Sequence, residues 1–310
     1  MSEQPEVSSD SRGPCGITVV VPTYRRERVL CETIDYLVRQ MDAADELLVI
    51  DQTEEHEPET RQRLERLAAK GAIRWFHGQS PSITGAMNRG LLEARREVVL
   101  FVDDDIRPEP SLVSAHRQAH AAHANTLIAG RVIQPWEIAG GTLGIGSSPF
   151  AGTAAAIVDE FMGGNFSVGR NEALAIGGFD ENFVQVAYRF EAEFASRFRA
   201  AGGVIRFEPQ ACLHHLRVAG GGTRSYGDHL TTMKPAHAVG AYYFSIRTRP
   251  RGRCLRECVM RLFRAIATRH HLRRPWWIPA TLSAELRGLW WAVRLHGGGP
   301  RLIGMARDGS

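Results

Sequence analysis

No apolar run in this 310-residue chain approaches the eighteen or so residues needed to cross a bilayer. The longest, such as Ile17 to Val21 and Val98 to Val102, have the length of buried strands. The opening stretch, Met1 to Gly13, is polar and acidic with no apolar core. No secretory signal is expected there, and residues 1–14 read as a disordered lead-in. Cysteine is sparse: Cys15, Cys31, Cys212, Cys254 and Cys258 are odd in number and show no CxxC spacing. That argues against a zinc or redox motif and for a reducing, cytoplasmic setting. There is no internal repeat. Gly144 and Gly146 are not flanked by a strand–turn–helix unit, so they do not make a dinucleotide fingerprint. Lysine is absent from Arg247 to Arg307, where fourteen arginines face only Glu257 and Glu285, a balance of +12. With an overall charge of +4, the remaining residues sum to 4 − 12 = −8.

An apolar share of 44% and a charged share of 23% fit an ordinary globular protein, one large domain or a catalytic domain with an appendage. The first hundred residues alternate strand and helix signals. Ile17 to Val21, Leu47 to Ile50, Ile73 to Phe76 and Val98 to Val102 are short apolar runs. Between them, Glu27 to Met41, Glu59 to Lys70 and Ala86 to Ala94 carry helical spacing. Fully apolar strands joined through helices predict an α/β fold with a mostly parallel central sheet covered on both faces. Ligands of such sheets bind at the carboxyl ends of the strands. Thr23, Asp51 and Asp103 to Asp105 are therefore the first site candidates. Farther on, a helix over Phe190 to Ala200 precedes a strand over Val204 to Phe207, and the Gly220 to Gly222 loop reads as mobile.

Asp103, Asp104 and Asp105 follow a buried strand directly. Three adjacent carboxylates repel one another unless a cation neutralises them, and oxygen ligands at a sheet mouth suit Mn²⁺ or Mg²⁺. A solvated acidic turn before Pro108 is the plainer alternative.

Other segments share this pattern of polar residues after apolar runs. VVPTYRRE spans 20–27, VIDQT ends the second strand, and TGAMNRG (Thr84 to Gly90) and FVDDDIRPEP (Phe101 to Pro110) follow. GGNFSVGR (Gly163 to Arg170), GGFDENF (Gly177 to Phe183) and EPQACLHH (Glu208 to His215) complete the series. In this order the seven segments resemble family 2 glycosyltransferases of the GT-A fold, over about Ile17 to Arg217.

The resemblance implies a metal-dependent, inverting transfer of a sugar from a nucleoside-diphosphate sugar to a carbohydrate or lipid-linked acceptor hydroxyl, in polysaccharide, glycolipid or glycoconjugate synthesis. It places Pro22, Thr23, Tyr24, Arg25, Asp51, Asn88, Asp103 and Asp104 around the donor. Gly164, Asn165, Asp180 and Glu193 fall on the acceptor side. Asp105 is the implied direct ligand of Mn²⁺ or Mg²⁺, with Asp103 and His215 beside it, though His214 competes with His215 for that place.

The implied general base is Glu191, in Phe190-Glu191 where the family commonly has a Glu-Asp pair. Glu193 lies about 200° around the helix from it, so a different role is expected. A second departure is Met87, where many relatives carry an arginine before the asparagine, and donor contact there is lost or shifts to Arg89.

The implied divisions are 15–245 for the GT-A domain, with a donor half of about 15–110 and an acceptor half of about 111–245, and 246–310 for a basic helical tail. That tail holds four of the six tryptophans and two amphipathic segments: Leu255, Val259, Leu262 and Ile266, then Leu282, Leu286, Leu289 and Val293. Peripheral docking on an anionic membrane is one expectation, packing on the domain the other. A nucleotidyltransferase is a rival enzyme, but Pro22-Thr23-Tyr24-Arg25 lacks the glycines of its phosphate loop. A non-catalytic module binding nucleic acid through the tail is another rival. No nucleic-acid motif supports it, and a bare acidic triplet repels phosphate.

Overall fold

The computed structural model describes residues 16–78, 80–138, 149–226 and 228–305. The lead-in, Cys15 and the glycines at 140, 141, 144 and 146 lie outside the described residues.

The donor half alternates strictly: β1 (Ile17–Thr23), α1 (Arg28–Val38), β2 (Glu46–Asp51), α2 (Pro58–Ala69), β3 (Arg74–His77), α3 (Ile83–Glu93) and β4 (Val98–Val102). Then come β5 (Ile106–Pro108), α4 (Leu112–Ala122), β6 (Thr126–Ile133), α5 (Pro135–Ile138), β7 (Ala156–Ile157) and β8 (Asn165–Gly169). Helices α6 (Arg170–Ala175) and α7 (Phe190–Ala200) lead to β9 (Val204–His215). Four further helices follow: α8 (Val239–Thr248), α9 (Arg251–Ile266), α10 (Arg269–Arg273) and α11 (Ile278–Gly297).

The strands form one sheet in the order β3-β2-β1-β4-β8-β6-β9-β5, with β7 on β9. Strands β1 to β4 are parallel, as their unbroken apolar runs require. The second half departs from parallel pairing. β8 runs antiparallel to both β4 and β6, and β5 and β7 run antiparallel to β9. β5 follows β4 after three residues, too short a link for a crossover helix, so it joins the far edge through β9 instead.

Neighbouring residues of β1 feed opposite cores. Val20 packs under α3, whereas Val19 and Val21 pack with Leu30, Ile34 and Leu37 of α1. Each of those fully buried aliphatic side chains contributes roughly 1.5–3 kcal/mol. The two-sided cover explains why the strand reads as continuously apolar rather than alternating.

The tail joins the first of these cores. Tyr242, Tyr243, Cys258 and Ala292 are buried with Phe179 and Phe194. The boundary expected near residue 245 falls inside α8. Helix α11 buries its small residues, Ala284, Gly288 and Ala292, and a Cβ on Gly288 would stand 2.6 Å from that of Ala238. Close approach of α8 leaves no room for larger side chains, so Leu286 and Val293 face outward, as do Leu255 and Val259 of α9. Among the described residues no helix is long and apolar enough to cross a membrane.

Candidate active site

The carboxyl ends of β1 and β4 open side by side, and the β5–β9 pairing brings the end of β9 to them. The register sets Ile106 opposite His215, and the Leu216 N–H donates to the Asp105 carbonyl at 2.8 Å. A cleft forms there between Pro22, Thr23, Tyr24 and Gln52 on one side and Asp103, Asp104, Asp105 and His215 on the other.

Asp103, Asp105 and His215 offer ligand atoms that all lie within 4.8 Å of one another. His215 Nε2 stands 3.2 Å from one Asp105 oxygen and 3.9 Å from Asp103. Its Nδ1 meets the side-chain amide oxygen of Gln134 at 3.1 Å. That contact selects the Nδ1–H tautomer, which gives Nε2 the lone pair a metal requires. His214, one residue earlier on the strand, points to the opposite face and pairs with Glu109 at 2.8 Å. Of the two histidines it is His215 that the fold brings to the acidic residues. Two carboxylates and an imidazole nitrogen fit Mn²⁺ or Mg²⁺.

Arg26 is the residue the sequence reading missed. Its buried guanidinium donates to Asp104 at 3.1 Å and Asp105 at 3.2 Å, and also to the carbonyls of Val218 and Gly220. It therefore neutralises the inner carboxylates and fastens the glycine loop over them. The Gly222 N–H adds a bond to the Tyr24 carbonyl at 2.7 Å. A Cβ on Gly221 would come within 2.5 Å of the Arg25 carbonyl. The loop expected to be mobile is thus seated. The adjacent Arg25 turns away to Glu54 and stacks on Tyr24. Only the pairing of two arginines after the first strand hinted at this division.

Asp104 accepts from the Thr23 hydroxyl at 2.8 Å. Burial, with the charges of Asp105 and Asp103, pushes its pKa up to about 7 against the lowering pull of Arg26 and Thr23.

Glu191 enters from the first turn of α7. The adjacent glycines make room for two carboxylates. A Cβ on Gly164 would overlap the Asp103 carboxylate, and one on Gly163 would stand 3.0 Å from the Glu191 carboxylate. Burial and the Asp103 charge push Glu191 up to about 7, while backbone N–H groups favour its ionised form. Glu193 faces elsewhere, bound by Arg197 at 2.8 Å and Arg247 at 2.9 Å. The backbone around the cleft is strained: Arg25, Gln185, Ala187, Arg189 and Arg217 all take positive φ without being glycine.

The fold does not bring the remaining candidates to the cleft. Asp51 is buried, accepting from the Trp75 indole at 2.9 Å and the Thr53 N–H at 3.0 Å, with His56 at 2.6 Å. Burial raises its pKa, but these bonds outweigh it and hold the carboxyl below its usual range. Gln52 lines the cleft instead, gripping the carbonyls of Ser80 and Ser82. Asn88 ties α3 to Phe179, donating to its carbonyl at 2.8 Å and accepting its N–H at 2.7 Å. Asn165 donates to the carbonyls of Arg131 and Ala211 and meets His116 in the core. Asp180 accepts from Tyr243 at 2.7 Å and from the Arg301 N–H at 2.9 Å.

A parallel strand–helix half with an acidic cluster at its carboxyl edge, closed by a mixed half whose β9 carries a histidine, defines a GT-A-type glycosyltransferase fold. Residues 18–164 match glycosyl transferase family 2. Among solved structures, the chain is similar to GalNAc-T7 with UDP, GalNAc and Mn²⁺, at 13% identity and TM-score 0.54, covering 76% of this chain and 52% of that one. It is also similar to the mannosyltransferase PcManGT from Pyrobaculum calidifontis in complex with GDP-Man and Mn²⁺, at 20% identity and TM-score 0.54, covering 91% and 79%. TarS from S. aureus shares 16% identity at TM-score 0.51, covering 66% and 37%. The chain thus spans about half of the length of GalNAc-T7, and at these identities the likeness is one of fold. No curated protein matches its sequence.

Proposed function

We propose that the protein transfers a sugar from a nucleoside-diphosphate sugar to an acceptor hydroxyl, with inversion at the anomeric carbon. The observation that carries this reading is the meeting of Asp103, Asp105 and His215 at one point, with Glu191 across the paired glycines. Asp103, Asp105 and His215 would hold Mn²⁺ or Mg²⁺, which supplies charge neutralisation for a diphosphate leaving group. Pro22, Thr23, Tyr24 and Gln52 line the cleft where the nucleotide would lie. Arg26 holds Asp105 by one oxygen and so aims the other toward His215. Glu191 takes the proton from the acceptor hydroxyl as it attacks, and a pKa near neutrality suits that task. The seated Gly220–Gly222 loop excludes water from the donor.

The exposed apolar residues of α9 and α11, among fourteen arginines of the tail, support peripheral attachment to an anionic membrane. A thermal-shift screen of nucleoside diphosphates and their sugars, with and without Mn²⁺, tests the donor reading. Mn²⁺-dependent stabilisation by at least one of them is expected. No stabilisation by any of them contradicts it.

A further inference from the structure

A second cavity lies apart from this cleft. It is a groove of about 1040 Å³ between α8, α9 and α11, and it ends at Tyr188 and Arg189, just before Glu191. Helix α9 presents three faces. Cys258 and Leu262 pack into the core, Leu255, Val259 and Phe263 lie exposed in a stripe, and Arg253, Arg256 and Arg264 line the groove together with Arg249 at the end of α8.

The charge in the groove is one-sided. Glu257 pairs with Arg249 and Arg253, and Glu285 pairs with Arg261. Arg256 and Arg264 have no acidic partner among the described residues. Phe244 lies between the guanidinium groups of Arg189 and Arg249, 4.6 and 5.0 Å from its ring centre. This contact links the N-terminal end of α7 to the start of α9. The floor also carries an unmet polar group. The buried Tyr242 hydroxyl makes no hydrogen bond among the described residues, and burial first, then the Glu285 carboxylate beside it, pushes its pKa up. A buried polar atom without a partner leaves a position that a ligand can fill.

We infer that this groove binds the phosphate head of an amphiphilic acceptor, a lipid phosphate or diphosphate, whose hydrocarbon lies along the Leu255–Val259–Phe263 stripe. Paired arginines match phosphate oxygens, and the adjoining apolar stripe matches a chain. A head group held beside Arg189 points the attached acceptor hydroxyl toward Glu191. The acceptor role rests on the transferase reading; binding of the amphiphile does not.

The test is calorimetric titration of the full chain with dodecyl phosphate below its micelle concentration, with inorganic phosphate and dodecyl maltoside as separate arms. Dodecyl phosphate is expected to bind at least about tenfold more tightly than either, because only it offers both charge and chain. Arg256→Glu with Arg264→Glu, both on exposed positions, should weaken it by at least about tenfold, and the matching Gln pair by less. Nucleoside diphosphate binding with Mn²⁺ should not change in these variants. Undiminished dodecyl phosphate binding in the Glu pair overturns the inference. So does equal binding of inorganic phosphate, which would make this a simple anion site, or of dodecyl maltoside. Absence of nucleotide binding to the wild type would count against the transferase reading alone.

Discussion

Arg26 reaches Asp105 at 3.2 Å, with the side chains only 5% and 2% exposed. With the matching contact to Asp104, this buried pair balances the charge of the two inner carboxylates. Arg26→Gln strands Asp104 and Asp105 without a cation, at a cost of about 3–5 kcal/mol. The melting temperature should fall, and Mn²⁺ should restore more stability to the variant than it adds to the wild type. Equal Mn²⁺ shifts in the two proteins would show that Arg26 does not balance this charge.

Glu191 and Glu193 should separate by phenotype. Glu191→Gln should bind nucleoside diphosphate normally and keep its fold, while transfer slows by about a hundred- to ten-thousand-fold. Glu193→Gln breaks the contacts to Arg197 and Arg247 and should cost about 2 kcal/mol of stability, with the rate less affected. Steady-state kinetics and melting curves on both variants check this. Full activity in Glu191→Gln would remove it as the base.

A pH dependence follows from the position of Glu191. Its carboxyl, raised from 4.5 to about 7 in the metal-free protein, must lose its proton to act. Its kcat/KM should rise with pH toward about 7, and a cation at Asp103 moves that limb lower by removing a repelling charge. The stability effect has the opposite sense. A raised pKa means the folded state holds the proton more tightly, so this contribution is complete below 4.5 and is lost as pH rises through about 7. Metal-free melting profiles should therefore flatten over that range in Glu191→Gln. An unchanged profile would contradict the assigned environment.

Much of this was legible along the chain because burial and period leave marks there. Continuous apolar runs gave β1, β2 and β4, and the acidic triplet was visible as a triplet. The opposed directions of Glu191 and Glu193 follow from the helical repeat. Asn165 and Asp180 were expected toward the acceptor, but a polar residue within a motif does not reveal whether it meets a ligand or the backbone. The fold gives each of them a full set of internal partners. Arg26 was invisible for the reverse reason: its four partners lie on the turn after β4 and on a loop some 190 residues away. Which face of α11 packs was not legible, because close approach to α8 favours glycine and alanine over leucine.

The central claim, a nucleoside diphosphate bound through a metal at Asp103, Asp105 and His215, is tested most directly by calorimetry. UDP and GDP would be titrated into the wild type and His215→Ala, each with and without Mn²⁺. The account predicts that at least one nucleotide binds the wild type about tenfold or more tightly with Mn²⁺, and that His215→Ala loses most of that gain. Equal affinity with and without Mn²⁺, or an undiminished gain in His215→Ala, would contradict it.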